Sequence, residues 1–333
     1  MSPATILTEL EQYPTLPDTG AALIREVENG LARSPRSLPP WVFYDAWGSC
    51  LFERITTLPE YYPSRIEREI LVQFAEEIVA RVRPDLSQRL RVFELGAGTA
   101  AKTGILLEAA MRSHGRVTYV PCDVSPEALN QACTGLESLL PTLQLQPIVG
   151  NYVTHPPQLA RAKGTTLALY IGSSIGNFSP QAARTILRNL RSQMYSGDAL
   201  LLGTDMVKDE EVLLAAYDDR QGVTADFNLN ILRRLNRELC ADFDSAGFRH
   251  RVRWNRADSR IEMHLESLRE QYVRIPAAKL HVHFAQGETI HTENSYKFTQ
   301  NTISALLDDA GFKIEQMWKD PLEWYALTLA GTQ

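Results

Sequence analysis

A glycine-rich turn lies between a short apolar run and a helical stretch in the segment VFELGAGTAAKT, residues 92–103. Gly96 and Gly98 directly follow the apolar run, so the backbone can turn tightly and a ligand can approach it without meeting a β-carbon. Further short apolar runs, VTYVPCD, LQPIV, TLALYIG and ALLLGTD, alternate with helical stretches. This alternation predicts βαβ units and a parallel sheet buried on both faces.

The residues around this turn favour one of two cofactors. Its G-x-G-x-x-A pattern fits a dinucleotide as well as S-adenosylmethionine, so the glycines alone do not separate them. Glu94, at the strand end, suits the cationic amino acid part of S-adenosylmethionine and would repel a pyrophosphate. Asp123, at the end of the second strand, could accept hydrogen bonds from the ribose of either cofactor. Adenine could stack on Tyr152 beside Asn151, although an ordinary loop fits these two residues nearly as well.

Two patterns predict the rest of the fold. Ser64 and Glu67 follow Pro63 in the arrangement of a capping box, which predicts that a long helix begins at Ser64. Between about residues 208 and 292, helical segments are followed by the strand-like pieces SRIEMHLES and KLHVHFA, which predicts an inserted subdomain. The runs FKIEQMWKD and EWYALTLAG predict two antiparallel strands that complete the first sheet.

Composition and charge exclude several classes of partner. The net charge of −6, without a run of Lys or Arg, argues against nucleic acid binding. No stretch reaches the 18 apolar residues of a membrane span. The four cysteines are scattered, which fits reduced thiols in the cytoplasm. His281, His283 and His291 could form a metal cluster, but ordinary strand histidines fit better because no acidic or cysteine ligand joins them at a typical spacing, so we expect no metal.

Five further blocks carry a resemblance to a known family. They are LPPWVFYDAWGSCLFERITTLPEYYPSRIE, IGSSIGNF, YDDRQGVTADFN, IEMHLES and HTENSYKF. With the glycine turn, they make the chain similar to the histidine-specific methyltransferases over nearly its whole length. Those enzymes trimethylate the α-amino group of L-histidine to hercynine, the first step of ergothioneine biosynthesis. The resemblance therefore implies an L-histidine N-α-methyltransferase whose cofactor is S-adenosylmethionine.

The resemblance also implies an α/β fold with two domains. A class I, Rossmann-like methyltransferase sheet would occupy residues 67–207 and 298–333, and a smaller α+β substrate domain residues 14–66 and 208–297. The family pattern assigns cofactor contacts to Gly96, Lys102, Asp123 and the Asn151–Tyr152 step, beside Glu94 and Gly98 of the turn. The family commonly has an aspartate where this chain has Asn151, so that contact is the least secure.

By the same resemblance, Tyr61, Asn177 and Tyr217 would hold the carboxylate and amino group of the substrate, and Glu293 and Ser295 would hold its imidazole. A neutral imidazole offers one N–H donor and one acceptor nitrogen, which a carboxylate and a hydroxyl two residues apart on a strand can meet from one face. Tryptophan, the substrate type of a related fungal branch, has no ring acceptor. Histidine is therefore preferred over a tryptophan derivative.

Aromatic residues are the remaining candidates at the substrate. Three transfers end in a quaternary ammonium, which prefers aromatic faces, and Tyr44 and Tyr61 could supply them. Tyr44 and Asn177 are the candidates for contact with the reacting amine. Met263 could border the imidazole pocket, although ordinary core packing explains it equally well. We expect a monomer that acts on a small molecule; an NAD-dependent oxidoreductase and a non-catalytic amino acid-binding protein are the alternatives.

Overall fold

The computed structural model describes residues 19–82, 89–153, 157–159 and 164–332, which fall into two compact units. The first comprises Pro63–Val207 and Lys297–Gln333, and the second Thr15–Tyr62 and Lys208–Tyr296, each counted over its described residues. The cut expected between residues 66 and 67 falls inside a helix, Tyr62–Val82, and the compact units instead separate at Tyr62 and Pro63.

The first unit alternates strands and helices along its eight-stranded sheet. Its elements are α3 (Tyr62–Val82), β2 (Leu90–Leu95), α4 (Thr103–His114), β3 (Val117–Asp123), α5 (Pro126–Leu139), β4 (Gln144–Leu145), β5 (Ile148–Val149), β6 (Thr166–Tyr170), α6 (Pro180–Arg191), β7 (Ala199–Asp205), α9 (Gln300–Asp309), β13 (Phe312–Lys319) and β14 (Tyr325–Thr332). The strand order is β13-β14-β7-β6-β2-β3-β4, and β5 also pairs with β3.

This sheet confirms the predicted α/β architecture. Strands β2, β6 and β7 are buried along their whole length, as expected for parallel strands covered on both faces. They pair in parallel, and β14 pairs antiparallel with both β7 and β13. The order of the strands reverses between β2 and β6, and a sheet of this kind binds ligands outside the carboxyl ends of its strands at such a point.

The second unit builds a smaller, mixed sheet. Its elements are α1 (Thr19–Leu31), β1 (Arg36–Ser37), α2 (Ala46–Thr56), α7 (Glu210–Tyr217), α8 (Val223–Leu239), β8 (Phe248–Asn255), β9 (Arg260–Ser267), β10 (Gln271–Ile275), β11 (Leu280–Phe284) and β12 (Thr289–Tyr296). Strands β1, β12, β9 and β8 lie in that order, and β10 and β11 form a separate hairpin.

One predicted helix start was wrong. Helix α3 begins at Tyr62, two residues before Ser64, so Ser64 is not its N-cap. Glu67, which the capping box would place at the helix end, is fully buried and binds groups far away in sequence. The local pattern was misread because a capping box uses only neighbouring residues, whereas this carboxylate is held by tertiary contacts.

Candidate functional site

The glycine turn after β2 needs glycine for its backbone conformation. Gly96 and Gly98 have φ of +70° and +53°, a region that other residues rarely adopt. The Gly96 N–H donates to the Cys122 carbonyl at 2.8 Å, which joins the turn to the end of β3. A β-carbon on Gly98 would meet nothing within 4 Å, so the backbone faces open space. The turn fits a bound nucleotide-like ligand.

Asp123 fixes the turn from the end of β3. One carboxylate oxygen accepts from the Gly98 N–H at 2.9 Å, and the other accepts from the Ser125 N–H at 3.0 Å. Burial raises the pKa of Asp123, while these backbone hydrogen bonds act in the opposite direction. A carboxylate has about four lone-pair sites, and the backbone N–H groups of Gly98, Val124 and Ser125 use three of them, so the carboxylate could also accept from a ribose hydroxyl.

Glu94 is buried behind the glycine turn and is held by side chains of the protein itself. It is 2% exposed, and its oxygens accept from the Thr103 hydroxyl at 2.8 and 2.9 Å and from the Tyr119 hydroxyl. Burial raises the pKa of Glu94 to about 7. A carboxyl group satisfied inside the protein and half protonated near neutral pH is a poor partner for an ammonium group. These contacts weaken the charge argument against a pyrophosphate, and whether Glu94 also contacts the cofactor is still a prediction.

Lys102 is held near the switch point of the sheet by an ion pair with Glu67, a partner that the sequence did not reveal. Its ammonium group forms an ion pair with Glu67, whose side chain is fully enclosed, while Lys102 retains 25% side-chain exposure. Glu67 also accepts from the Gly172 N–H at 2.8 Å and from the Tyr325 hydroxyl at 2.6 Å. The partners come from α3, the glycine turn, the loop after β6 and β14. No sequence-local signal joins them.

Asn151 and Tyr152 follow β5. The Asn151 side chain accepts from the Val153 N–H at 3.0 Å, so part of its amide stabilises the turn. The Tyr152 ring packs edge-on against Tyr170 at 5.7 Å, and the two hydroxyls lie 3.3 Å apart. A β-carbon on Gly96 would lie 3.5 Å from the Tyr152 hydroxyl. Tyr152 therefore lies against the glycine turn, and whether adenine stacks on it is still a prediction.

Asn177 ends a short 3-10 helix, Ser174–Asn177, in the loop after β6. Its side chain is half-buried. The loop begins with Gly172 and Ser173 at φ of +78° and +57°, and the Ser173 hydroxyl accepts from the Asp205 N–H at 2.9 Å. A non-glycine residue in this conformation stores strain. The loop is thereby held at the carboxyl end of β6, beside the glycine turn of the same sheet.

In the second unit, Tyr61, Tyr217 and Ser295 form a cluster. The Tyr217 and Ser295 hydroxyls are 2.7 Å apart, and the Tyr61 and Tyr217 rings meet edge to face at 6.2 Å. Tyr217 and Ser295 are nearly enclosed. If the tyrosine donates, the serine keeps its own hydrogen for another acceptor. The cluster can thus offer a hydroxyl donor to a ring nitrogen.

Glu293 and Met263 complete the same face of the small sheet. Glu293 lies opposite Met263 in the antiparallel pairing of β12 and β9, and Ser295 lies opposite Ile261. Side chains two residues apart on a strand share one face, so Glu293 and Ser295 point to the same side. The register shifts between His291 and Glu293, and such a bulge re-aims the residues that follow it. Met263 is 1% exposed.

Tyr44 lies in an aromatic group with Phe52 and Phe227. Its ring is 5.7 Å from Phe52 and 5.8 Å from Phe227, both edge to face. Phe52 in turn lies 6.4 Å from the Tyr61 ring. The two tyrosines proposed from the sequence thus belong to one continuous aromatic cluster.

His250 and Asn228 form hydrogen bonds that hold the backbone of Tyr217 in place. The sequence did not single out these two residues. His250 Nε2 lies 2.8 Å from the Tyr217 carbonyl, and its Nδ1 lies 2.8 Å from the Asn228 side-chain nitrogen. Burial lowers the pKa of His250. A neutral ring that donates from Nε2 and accepts at Nδ1 satisfies both contacts. It holds Tyr217 by its backbone.

The histidines weighed as metal ligands have other partners. His283 Nε2 lies 3.0 Å from Glu270, and His291 Nε2 lies 2.9 Å from the Glu293 carbonyl. Within the described ranges, no group of three or more His, Cys, Asp or Glu side chains could hold a metal ion. The same ranges include no helix long and apolar enough to cross a membrane.

The fold and the turn together define the class of protein. A parallel sheet with a reversal between β2 and β6, and a glycine turn with an acidic residue at the next strand end, form a Rossmann-like nucleotide-binding unit. The sequence matches the family described as "Histidine-specific methyltransferase, SAM-dependent" over residues 23–332. The chain belongs to that family. S-adenosylmethionine, rather than a dinucleotide, is therefore its cofactor.

Two bacterial relatives match almost the whole chain, and a fungal relative matches part of it. The histidine N-alpha-methyltransferase of Mycolicibacterium smegmatis is 41% identical over 321 residues, which are 96% of this chain and 98% of the relative. That of Mycobacterium tuberculosis is 42% identical over 309 residues, 93% and 94% of the two chains. Ergothioneine biosynthesis protein 1 of Neurospora crassa is 32% identical over 208 residues, which are 61% of this chain and 23% of the relative.

Proposed function

We propose that this enzyme transfers three methyl groups from S-adenosylmethionine to the α-amino group of L-histidine and so makes hercynine, the first step of ergothioneine biosynthesis. The observation that carries the proposal is the pairing of Glu293 with Ser295 on one face of β12, with Ser295 bonded to Tyr217. Relatives named histidine N-alpha-methyltransferase, alike over nearly their whole length, support it.

The proposed substrate contacts follow from what an imidazole needs. Glu293 accepts the ring N–H, and the Ser295 hydroxyl donates to the bare ring nitrogen while it accepts from Tyr217. An indole has no ring acceptor, so a tryptophan derivative would lose the hydrogen bond that the Ser295 hydroxyl donates to the bare imidazole nitrogen, at a cost of about 1–3 kcal/mol. Tyr61, Tyr217 and Asn177 are assigned to the carboxylate and amino group, and Met263 to the wall of the imidazole pocket.

The chemistry requires positioning more than acid–base power. When bound, S-adenosylmethionine supplies an electrophilic methyl group on its sulfonium. The α-amino group, whose reference pKa is about 8, must first lose a proton. Correct placement of two reactants can lower the activation free energy of the transfer by about 7–11 kcal/mol. We assign that placement to Asn177 and Tyr44, and we assign the aromatic faces of Tyr44 and Tyr61 to the methylated ammonium.

The assignment of the units follows the same logic. The first unit would bind the cofactor through Gly96, Gly98, Lys102, Asp123, Asn151 and Tyr152, and the second would supply most substrate contacts. We further propose a monomer that works in the cytoplasm, in keeping with four cysteines that are all free thiols.

A panel of amino acids tests the reaction. Purified protein incubated with S-adenosylmethionine and each amino acid should convert only histidine, and mass spectrometry should find products carrying one, two and three added methyl groups. Tryptophan is the control for the indole alternative. Methylation of tryptophan and not histidine would overturn the proposed choice of substrate. Histidine binding without turnover would indicate a non-catalytic binding protein.

Glu293→Ala tests the substrate site. Loss of a hydrogen bond to a charged group costs about 1.5–3 kcal/mol, so the affinity for histidine, measured by calorimetry in the presence of S-adenosylhomocysteine, should fall about tenfold or more. Affinity for S-adenosylhomocysteine should not change. The matched control is Glu270→Ala, at an exposed carboxylate of the same unit, which should bind histidine like the wild type. Equal affinities for the two variants would refute the role of Glu293.

A further inference from the structure

Glu67 is a charged group with no access to solvent. It is 0% exposed, lies in the first turns of α3, and has three partners: the Gly172 N–H at 2.8 Å, the Tyr325 hydroxyl at 2.6 Å and the Lys102 ammonium group. One oxygen takes the two neutral donors, and the other takes the lysine. Both oxygens are satisfied, so Glu67 is not available to a ligand.

The sheet leaves room for this carboxylate at one residue. A β-carbon on Gly203 of β7 would lie 2.7 Å from the Tyr325 hydroxyl, 3.2 Å from the Ile171 Cα and even closer to Glu67. Gly203 has no positive φ that would require glycine. The glycine is needed because any side chain there would fill the space that Glu67 and Tyr325 occupy. The site is thus built into the strand as well as into the helix.

Of the groups that bind Glu67, the Lys102 ammonium group belongs to a side chain that is partly exposed. Lys102 follows the glycine turn and keeps 25% side-chain exposure, whereas Glu67 keeps none. A β-carbon on Gly172 would lie 3.7 Å from the Lys102 Nζ, so the ammonium group lies at the carboxyl end of β6, beside the switch point of the sheet. An ammonium group has three N–H donors, and the ion pair with Glu67 orients the others.

The energetics favour a role beyond stability. Burying a charge loses its hydration, and a well-packed apolar pair is often at least as stable as a buried ion pair. A long lysine side chain also loses rotamer entropy when it is held in one position. A pair that holds Lys102 in one position would remove that loss from ligand binding, because the ordering is complete before the ligand arrives.

We propose that Glu67 is a positioning residue for the cofactor: it acts through Lys102 and the Gly172 N–H, and it does not touch the cofactor itself. This inference rests on the proposed function only in taking Lys102 as a cofactor contact. Glu67 orders the ammonium group and the start of the 171–178 loop at once, so one carboxylate sets both the affinity for S-adenosylmethionine and the place of the loop that carries Asn177.

Glu67→Gln removes the ion pair and keeps the shape. The glutamine oxygen can still accept from Gly172 and Tyr325, while its NH₂ group faces Lys102 as a second donor. We expect the affinity for S-adenosylhomocysteine, measured by calorimetry without histidine, to fall about tenfold. We also expect the melting temperature of the unliganded protein to stay within a few degrees of the wild type. Unchanged affinity would overturn the proposal.

A double-mutant cycle with Lys102→Met separates positioning from a general structural effect. If Glu67 acts through Lys102, the double variant should bind S-adenosylhomocysteine no more weakly than Lys102→Met alone. Additive losses would mean that Glu67 acts independently of the lysine. The matched control is Glu76→Gln, an exposed glutamate of the same helix, which should bind like the wild type.

Two further measurements keep the proposal open to refutation. If the Glu67→Gln protein does not fold, Tyr325→Phe removes only one donor to the same carboxylate, and a few-fold weaker affinity is expected; no change would overturn the proposal. Methylation of histidine by the wild type is measured separately. A wild type that binds S-adenosylhomocysteine without methylating histidine would refute the proposed reaction and leave the role of Glu67 to be judged by binding alone.

Discussion

A carboxyl group enclosed by the large sheet gives the stability of this protein an unusual dependence on pH. Burial raises the pKa of Glu94 to about 7 from 4.5. Between pH 4.5 and 7 the Glu94 carboxyl is ionised in the unfolded chain but protonated in the folded chain. The contribution of Glu94 to the free energy of unfolding is therefore complete below pH 4.5. It falls by an amount on the order of 3 kcal/mol as the pH rises through 7.

Glu94→Gln should remove that dependence. Glutamine does not ionise, and its side chain can still accept from Thr103 or Tyr119 and donate to the other. We expect the free energy of unfolding, measured with urea between pH 5 and 8, to fall less steeply with pH than in the wild type. Glu76→Gln, with the same change at an exposed position, should keep the wild-type slope. Equal slopes in all three proteins would contradict the burial argument.

At the scale of single residues, the sequence revealed what spacing encodes. Glu293 and Ser295 could be placed on one face because strand residues alternate, and Gly96 and Gly98 because their turn follows an apolar run. Glu67 could not be assigned, since its partners are 35, 105 and 258 residues away in the chain. The burial of Glu94 could not be anticipated either, because its strand-end position said nothing about the hydroxyls of Thr103 and Tyr119 that bind it.

Whole elements followed the sequence where their ends are capped locally. Ser125 and Ser179 each accept a backbone N–H and precede a proline at the first helical position, a helix-start signal that lies within neighbouring residues. The run LQPIV was expected to form one strand but gives β4 and β5, two residues each, on either side of Gln146 and Pro147. Proline has no N–H to donate to a ladder, so the strand is interrupted there.

The β9–β12 pair carries two histidines on the face opposite Glu293. The His264 and His291 rings stack at 4.8 Å, and His264 is 7% exposed. Burial, with repulsion from His291 and Arg253, lowers the pKa of His264 to about 4, despite its neighbour Glu262. The folded chain therefore binds fewer protons than the unfolded chain between pH 6.5 and 4. Stability is lost as the pH falls through that window, on the order of 3 kcal/mol from this residue.

His264→Gln tests this stack. The variant should lose less free energy of unfolding than the wild type between pH 7 and 4.5, because one proton uptake by the unfolded chain is removed. Urea titrations at the two pH values measure the difference. His283→Gln, at a half-exposed position of β11, serves as the control and should follow the wild type. An unchanged acid loss in His264→Gln would mean that other groups cause it.

For the whole molecule, the cofactor class has a consequence for thermal stability. A ligand that binds only the folded state stabilises it by about 2.7 kcal/mol at a hundred times its Kd. S-adenosylhomocysteine should therefore raise the melting temperature in a concentration-dependent way, and NADH at equal concentrations should not. Differential scanning calorimetry measures both. A larger shift with NADH would contradict the assignment of the glycine turn.

Strand β14 lies inside the large sheet, between β7 and β13, although it follows them both in the chain. On the ribosome, residues 199–205 emerge long before residues 325–332, so a growing chain presents β7 as an open edge throughout the synthesis of the intervening segment. Unpaired edges invite pairing with other chains. The edge of β7 is therefore protected from pairing with other chains only once β14 has been made, and an early stop before β14 would release a sheet with an interior strand exposed.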